Sequence, residues 1–219
     1  MNIIYRMCPE GNPNKHRPDN MTKMETVKTC YKSVLKAFPN AHITFLIDKP
    51  NVEIMELVEE CPNKHDYEIF HFESWNDGNV GTFHRQLDLA QDMGKVLLLE
   101  DDYFFIPDAE TIIENTLDEF EFITPYDHPG YYTEAEHDYK REVELAGGRH
   151  WQTVSSTCLT FASTGERIKE VTDTMKKFGW QDHFMWLELT QEHKLWSPIP
   201  SVATHMEVEY LAPYWRFPK

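Results

Sequence analysis

Residues Lys95 to Phe105 read KVLLLEDDYFF. Four apolar residues, Val96 to Leu99, run without interruption into three carboxylates, Glu100, Asp101 and Asp102, and aromatics follow, Tyr103 and Phe104 first. A short unbroken apolar run predicts a strand covered on both faces, as in the middle of a parallel sheet. Three acids at its C-terminal end raise one another's pKa unless a cation or a basic group neutralises them. A solvated acidic turn would have the same letters. Open α/β sheets, however, hold ligands at the carboxyl ends of their strands, which makes the acids a candidate site. Carboxylate oxygens are hard ligands that suit Mg²⁺ or Mn²⁺. Such ions take one or two carboxylates and complete their shell with phosphates and water.

The segments before this stretch alternate. Asn2 to Met7 is a first strand, and Cys8 to Asn20 is a loop carrying Pro9, Gly11, Pro13 and Pro18 beside Lys15, His16 and Arg17. A loop in that place meets the ligand in nucleotide-binding α/β folds. It contains neither G-x-G-x-x-G nor G-x-x-x-x-G-K-[ST]. Thr22 to Phe38 has helical periodicity and stops at Pro39, and His42 to Ile47 is a strand closed by Asp48. Asn51 to Glu60 is a helix and Tyr67 to Phe72 a strand. Glu73 to Gly81 is polar and Gly-rich and reads as a loop before a helix over Thr82 to Met93. Strands alternating with helices predict a parallel sheet with crossover helices.

Beyond the acids, Pro107-Asp108 opens a helix and Glu119 to Thr124 alternates as a strand with one wet face. Pro125 to His150 is irregular apart from a short helix around Ala135 to Ala146, and reads as a substrate-facing lid or an edge insertion. Trp151 to Ala162 is strand-like. Ser163-x-x-Glu166 reads as a capping box for a helix that ends at Gly179. A short helix follows from Asp182, and an extended tail, Trp196 to Lys219, carries Ala203-Thr204-His205 and the aromatics Tyr210, Tyr214 and Trp215.

Composition bounds the function. The 219 residues suit one domain, and 41% hydrophobic residues supply a core. With 21 Lys and Arg against 37 Asp and Glu, the net charge is −16. That surface repels nucleic acid and anionic membranes, so an anionic substrate needs a local cation. The four cysteines, Cys8, Cys30, Cys61 and Cys158, form no C-x-x-C pair, which argues for reduced thiols in a cytoplasmic protein. No run approaches the roughly 18 apolar residues of a membrane span. Ser155-Ser156-Thr157 has no evident partner base, which disfavours serine nucleophile chemistry.

The stretch GNVGTFHRQLDLAQDMGKVLLLEDD, from Gly78 to Asp102, resembles the core of nucleotide-sugar-dependent glycosyltransferases of the GT-A fold. In those enzymes a helix with a polar Arg-Asn-like pair precedes an apolar strand ending in a D-x-D motif. Here the pair is Arg85-Gln86 and the motif Glu100-Asp101-Asp102, with Glu in the first acidic place. The E-D-D form is also similar to that of lipopolysaccharide-type glycosyltransferases. The likeness in element order covers residues 1 to about 205. It implies a mixed, mostly parallel α/β sheet flanked by helices, in one domain over 1–219. A nucleotide-binding half would span about 1–105 and an acceptor half about 106–219.

The resemblance implies roles for individual residues. Asp102 would bind the Mn²⁺ or Mg²⁺ that bridges the donor diphosphate, with His205 as a C-terminal metal ligand. Glu100 or Asp101 would contact the ribose or a metal-bound water. Asp48 would meet the nucleotide base, with Met7, Cys8 and Arg17 beside it, and Arg85 would face the donor phosphate or sugar. Trp180-Gln181-Asp182-His183 resembles the acceptor-side segment of inverting members, which makes Asp182 the general base toward an acceptor hydroxyl. Expected partners are a nucleoside diphosphate sugar, with UDP the habit of the family, and a carbohydrate or other hydroxyl acceptor. A nucleotidyltransferase shares this plan, although Cys8 to Asn20 lacks its Gly-rich signature. A non-catalytic carbohydrate-binding protein would account for the aromatics but not for three acids at a strand end.

Overall fold

The computed structural model describes residues 1–11, 15–137, 140–213 and 215. Pro13, Tyr214 and Pro218 lie outside them. The first strand, β1 (Asn2–Met7), shows how the sheet divides the molecule. Its residues alternate: Ile3, Tyr5 and Met7 join one apolar cluster, and Ile4 joins the other. Arg6, two residues from Ile4, falls on that second face. The first cluster packs the sheet against α1 (Lys23–Ala37), α2 (Val52–Glu59) and α4 (Ala109–Thr116). The second packs it against α3 (Trp75–Ala90), α5 (Gly165–Phe178) and α6 (Asp182–Leu189).

β4 (Lys95–Leu99) lies between these layers, with Val96 and Leu98 on one face and Leu97 and Leu99 on the other, all fully buried. It pairs in parallel with β1, which pairs in parallel with β2 (His42–Asp48) and through it with β3 (Lys64–Phe70). On its other side stand β9 (Phe161–Thr164), β6 (Phe122–Ile123), β10 (Leu195–Ile199), β8 (Arg149–Val154) and β7 (Val143–Ala146), giving the order β3-β2-β1-β4-β9-β6-β10-β8-β7. Only β9 and β8 oppose the common direction. The sheet is therefore mixed and mostly parallel, as expected. A separate ribbon pairs β5 (Tyr103–Phe105) with β11 (Ala203–His205) in antiparallel register, His205 opposite Tyr103.

Four local expectations are corrected. First, α3 begins at Trp75, not Thr82, because Ser74 caps it by accepting from the Asp77 N–H at 3.1 Å. Gly78 and Gly81 lie inside this helix and mark close approach, not a loop. A Cβ at Gly78 would stand 2.4 Å from Asp48 Oδ2, and one at Gly81 2.3 Å from the Phe72 ring. Second, Gly147 and Gly148, with φ of 53° and 75°, join β7 to β8 as a hairpin where a helix up to Ala146 was expected.

Third, Trp151 to Ala162 forms two strands. β8 pairs with β10 and β9 pairs with β4 and β6, so residues 155–160 must leave the sheet between different partners. Fourth, α5 is capped by Thr164, which accepts from the Arg167 N–H at 3.3 Å, while Ser163 donates to the Glu121 carbonyl at 2.6 Å. The tail read as extended contributes most of β10 and all of β11, and then makes a 3-10 turn at Val208–Tyr210. No described helix is long and apolar enough to cross a membrane.

Candidate functional site

The carboxyl ends of β1, β2 and β4 open into a cleft of about 1030 Å³. Nine of the residues expected to act together line it: Met7, Cys8, Arg17, Asp48, Glu100, Asp101, Asp102, Asp182 and His205. Arg85 does not. Its Nε and guanidinium amine bind Glu68 on β3 at 2.8 and 2.5 Å. The next residue of the helix, Gln86, is fully buried, and its amide donates to the carbonyls of Ile4 and Leu99 at 2.6 and 3.3 Å. Neighbouring residues of a helix face different ways. Gln86 faces the sheet and joins β1 to β4, and Arg85 is left to a surface pair.

The three acids at the end of β4 part company. Glu100 follows Leu98 onto the α3 face and meets Arg6 at 2.9 Å and the Thr160 hydroxyl at 3.3 Å. Burial pushes its pKa up, and the Arg6 charge opposes this without overcoming it. Asp101 turns to the opposite face. It accepts the Cys8 N–H at 2.9 Å and binds Lys23 at the start of α1, so it ties the first loop and the first helix to the central strand. Burial and the Asp101 charge push the Cys8 thiol up to about 11, which leaves it protonated.

Asp102 stands between the two. Its Oδ2 lies 3.4 Å from His205 Nε2 and 3.7 Å from Lys15 Nζ. Burial would raise its pKa, but His205, Lys23 and Lys15 outweigh burial and hold it well below the usual carboxylate range. The β5–β11 ribbon creates this pair. It returns His205 beside Asp102, and the Met206 N–H donates to the Asp102 carbonyl at 2.8 Å.

A divalent cation fits Asp102 and His205 if substrate oxygens and water supply the rest of its shell. One carboxylate precedes β5 and one imidazole ends its partner β11, and the other ring nitrogen of His205 is buried without a hydrogen-bond partner among the described residues. Among the described residues no group of three His, Cys, Asp or Glu side chains is arranged to hold a metal unaided. The lining of the cleft is itself anionic, with eight carboxylates against four Lys and Arg.

The far wall comes from α6 and the 155–160 loop. Asp182 is the first residue of α6, and burial raises its pKa. Its Oδ1 accepts the His183 N–H at 2.7 Å. Ser156, which had no base in the sequence, lies 3.0 Å from His183 Nδ1. His128 accepts the Gly130 N–H at 2.9 Å, and burial with the nearby His137 and His205 lowers its pKa to about 4, so it is neutral. Trp75 and Trp180, each about half exposed, stand on this lining as well. Asp48 is 6% exposed and accepts the Phe72 N–H at 3.1 Å.

Sequence reasoning missed Arg6, Lys23, Glu207 and the histidines His128 and His183. Arg6 carried a signal, since it is a lone charge in the apolar strand NIIYRM. The others depend on contacts remote in sequence.

No protein-family model and no curated protein matches the chain. Solved structures do. A galactosyltransferase, LgtC, in complex with donor and acceptor sugar analogs is 12% identical, with a TM-score of 0.54 over 89% of this chain and 71% of that one. The inositol-1-phosphate CTP transferase from T. maritima is 14% identical, with a TM-score of 0.51 over 89% and 83%. A cytidylyltransferase from Leptospira borgpetersenii serovar Hardjo-bovis is 13% identical, with a TM-score of 0.50 over 89% and 73%. At such identity the likeness shows the fold alone: a GT-A-like α/β arrangement common to both kinds of transferase.

Proposed function

We propose that the chain is a metal-dependent glycosyltransferase that moves a sugar from a nucleoside diphosphate sugar to an acceptor hydroxyl. The observation that carries this reading is the Asp102–His205 pair, 3.4 Å apart, at the carboxyl end of the central strand and in one cleft with Asp182. Asp102 and His205 would hold Mn²⁺ or Mg²⁺. When bound, the ion would neutralise the charge that develops on the leaving diphosphate. The anionic lining supports the need for such a cation, since a diphosphate adds negative charge to a surplus of carboxylates.

The chain's own residues supply the rest. Asp48, packed under Gly78, would accept from the nucleotide base, with Met7, Cys8 and Arg17 around the nucleoside. Glu100, anchored by Arg6 and Thr160, would contact the ribose or order water. Asp101, held by Cys8 and Lys23, keeps the loop after β1 against the site. Asp182 would take the acceptor proton as the new bond forms, giving inversion at the anomeric carbon. Its raised pKa makes it a stronger base than an exposed aspartate. Trp180 and Trp75 offer ring faces suited to a sugar.

A second reading, nucleotidyl transfer, is favoured by Lys15, Arg17 and Lys23, which bring three cations near the loop after β1 where a triphosphate would lie. Calorimetric titration with UDP, with and without Mn²⁺, tests the first. Binding that needs Mn²⁺ and disappears in Asp102→Ala supports it. Sugar binding without nucleotide or metal would instead indicate a carbohydrate-binding protein.

A further inference from the structure

Given the metal-dependent transfer proposed above, we infer that Lys15 is a resident cation that competes with the metal ion at Asp102, and that Glu207 is the positioning residue for His205. Lys15 Nζ lies 3.0 Å from Glu207 Oε2 and 3.7 Å from Asp102 Oδ2. The same two oxygens face His205. Its Nε2 is 3.4 Å from Asp102 Oδ2 and its Nδ1 is 4.0 Å from Glu207 Oε2. The four groups close a ring in which each carboxylate is shared between an ammonium and an imidazole.

The longest side of this ring is the one between His205 and Glu207. His205 is 8% exposed, and its Nδ1 is buried with no hydrogen-bond partner among the described residues. An orphaned buried donor or acceptor costs free energy when a partner is within reach. Glu207 is that partner, and at 4.0 Å it is too far to accept a hydrogen bond. Its carboxylate is drawn instead to Lys15, with which it makes the shorter contact.

The backbone fixes this competition in place. The Val208 N–H donates to the His16 carbonyl at 2.7 Å, and His16 Nδ1 lies 3.1 Å from Glu209 Oε1. The segment bearing Lys15 is thus docked against the segment bearing Glu207, through contacts that involve neither side chain of the ring.

A histidine that ligates a metal through one nitrogen commonly donates its other N–H to a carboxylate, which fixes the ring and raises its basicity. With Lys15 in place, Asp102 and Glu207 share one ammonium and His205 lacks its acceptor. With a divalent ion held by Asp102 and His205, the Lys15 ammonium would be repelled from Asp102 and drawn to a bound diphosphate, and Glu207 would be free to accept from His205 Nδ1. The residue that guards the carboxylates in the free protein becomes a donor-phosphate contact in the loaded one. Cation binding and diphosphate binding are thereby coupled through one side chain.

The test is Mn²⁺ affinity of the whole chain by calorimetry, first without nucleotide and then with UDP, for wild type, Lys15→Met, Lys15→Arg and Glu207→Gln. Circular dichroism checks that each is folded. Lys15→Met is expected to tighten nucleotide-free Mn²⁺ binding about tenfold by removing the competing charge, and to weaken UDP binding at saturating Mn²⁺. Lys15→Arg keeps the competing charge and is expected to bind nucleotide-free Mn²⁺ less tightly than Lys15→Met. Glu207→Gln is expected to weaken Mn²⁺ binding by about 10- to 100-fold. Unchanged Mn²⁺ affinity in Lys15→Met overturns the inference about Lys15, and unchanged affinity in Glu207→Gln overturns that about Glu207. No Mn²⁺ binding by the wild type, with or without UDP, overturns the metal-dependent reading itself.

Discussion

Replacing Arg6 with Met should destabilise the fold through Glu100. The Arg6 side chain is 8% exposed and that of Glu100 26%, with 2.9 Å between them. Removing one partner of a fully buried ion pair costs about 3–5 kcal/mol, because the other charge is left uncompensated. Water reaches one side of Glu100 through the cleft, so the lower end applies, about 3 kcal/mol. Arg6 also donates to the Asn79 side chain and carbonyl at 2.7 and 2.9 Å, and those bonds are lost with it. For a chain of this size about 3 kcal/mol lowers the melting temperature by roughly 6–12 °C.

The pH dependence identifies the cause. Burial already raises the Glu100 pKa, and loss of Arg6 raises it further. A raised acid pKa means that the fold prefers the protonated form. The penalty is therefore absent where Glu100 is protonated in both states. It grows as pH rises above the unfolded value of about 4.3 and is complete above the folded pKa. Thermal unfolding followed by circular dichroism at pH 7.5 and pH 5 should show the larger deficit at pH 7.5. The double variant Arg6→Met/Glu100→Gln should recover about 1–2 kcal/mol at pH 7.5, since the neutral amide needs no counter-charge. Equal stability of single and double variants at both pH values would refute the pairing argument.

Three other substitutions probe the same structure. Gly165→Ala puts a Cβ 2.2 Å from the Met93 carbonyl and 2.3 Å from that of Ala90, backbone that cannot yield, so denaturant unfolding should show a loss of about 3 kcal/mol. Arg85→Ala breaks only a surface pair with Glu68 and should cost under about 1 kcal/mol, with no change in nucleotide affinity by calorimetry. Asp182→Asn should lower kcat about 10²- to 10⁴-fold with donor KM little changed. Because burial raises the Asp182 pKa, the wild-type rate should fall with acid at a pH above the ordinary aspartate range, and a pH–rate profile checks this.

Much of the fold was legible because it depends on local pattern. The run VLLL in β4 is buried on both faces as its letters required, and the helix read from Thr22 to Phe38 is α1, with those two residues as its caps. Glycine was misread where its use was tertiary. Gly78 and Gly81 look like loop residues, but they let a helix lie against Asp48 and Phe72. The same holds at the candidate site. The acids announced themselves through their place after an apolar strand. Their different surroundings did not, because Arg6, Lys23 and His205 reach them from β1, α1 and β11. Arg85, expected at the donor phosphate, is held by Glu68 instead, a partner on β3 that the helix sequence does not show.

The leaving group formed in turnover separates glycosyl transfer from nucleotidyl transfer. The protein is incubated with Mn²⁺ and, in parallel, with UDP-sugars plus sugar acceptors and with CTP or UTP plus sugar phosphates, and the released species is identified by chromatography. A glycosyltransferase releases UDP from a UDP-sugar, and here that release should depend on Mn²⁺ and be abolished in Asp102→Ala. Pyrophosphate from a nucleoside triphosphate, with no UDP release from any UDP-sugar, would contradict it.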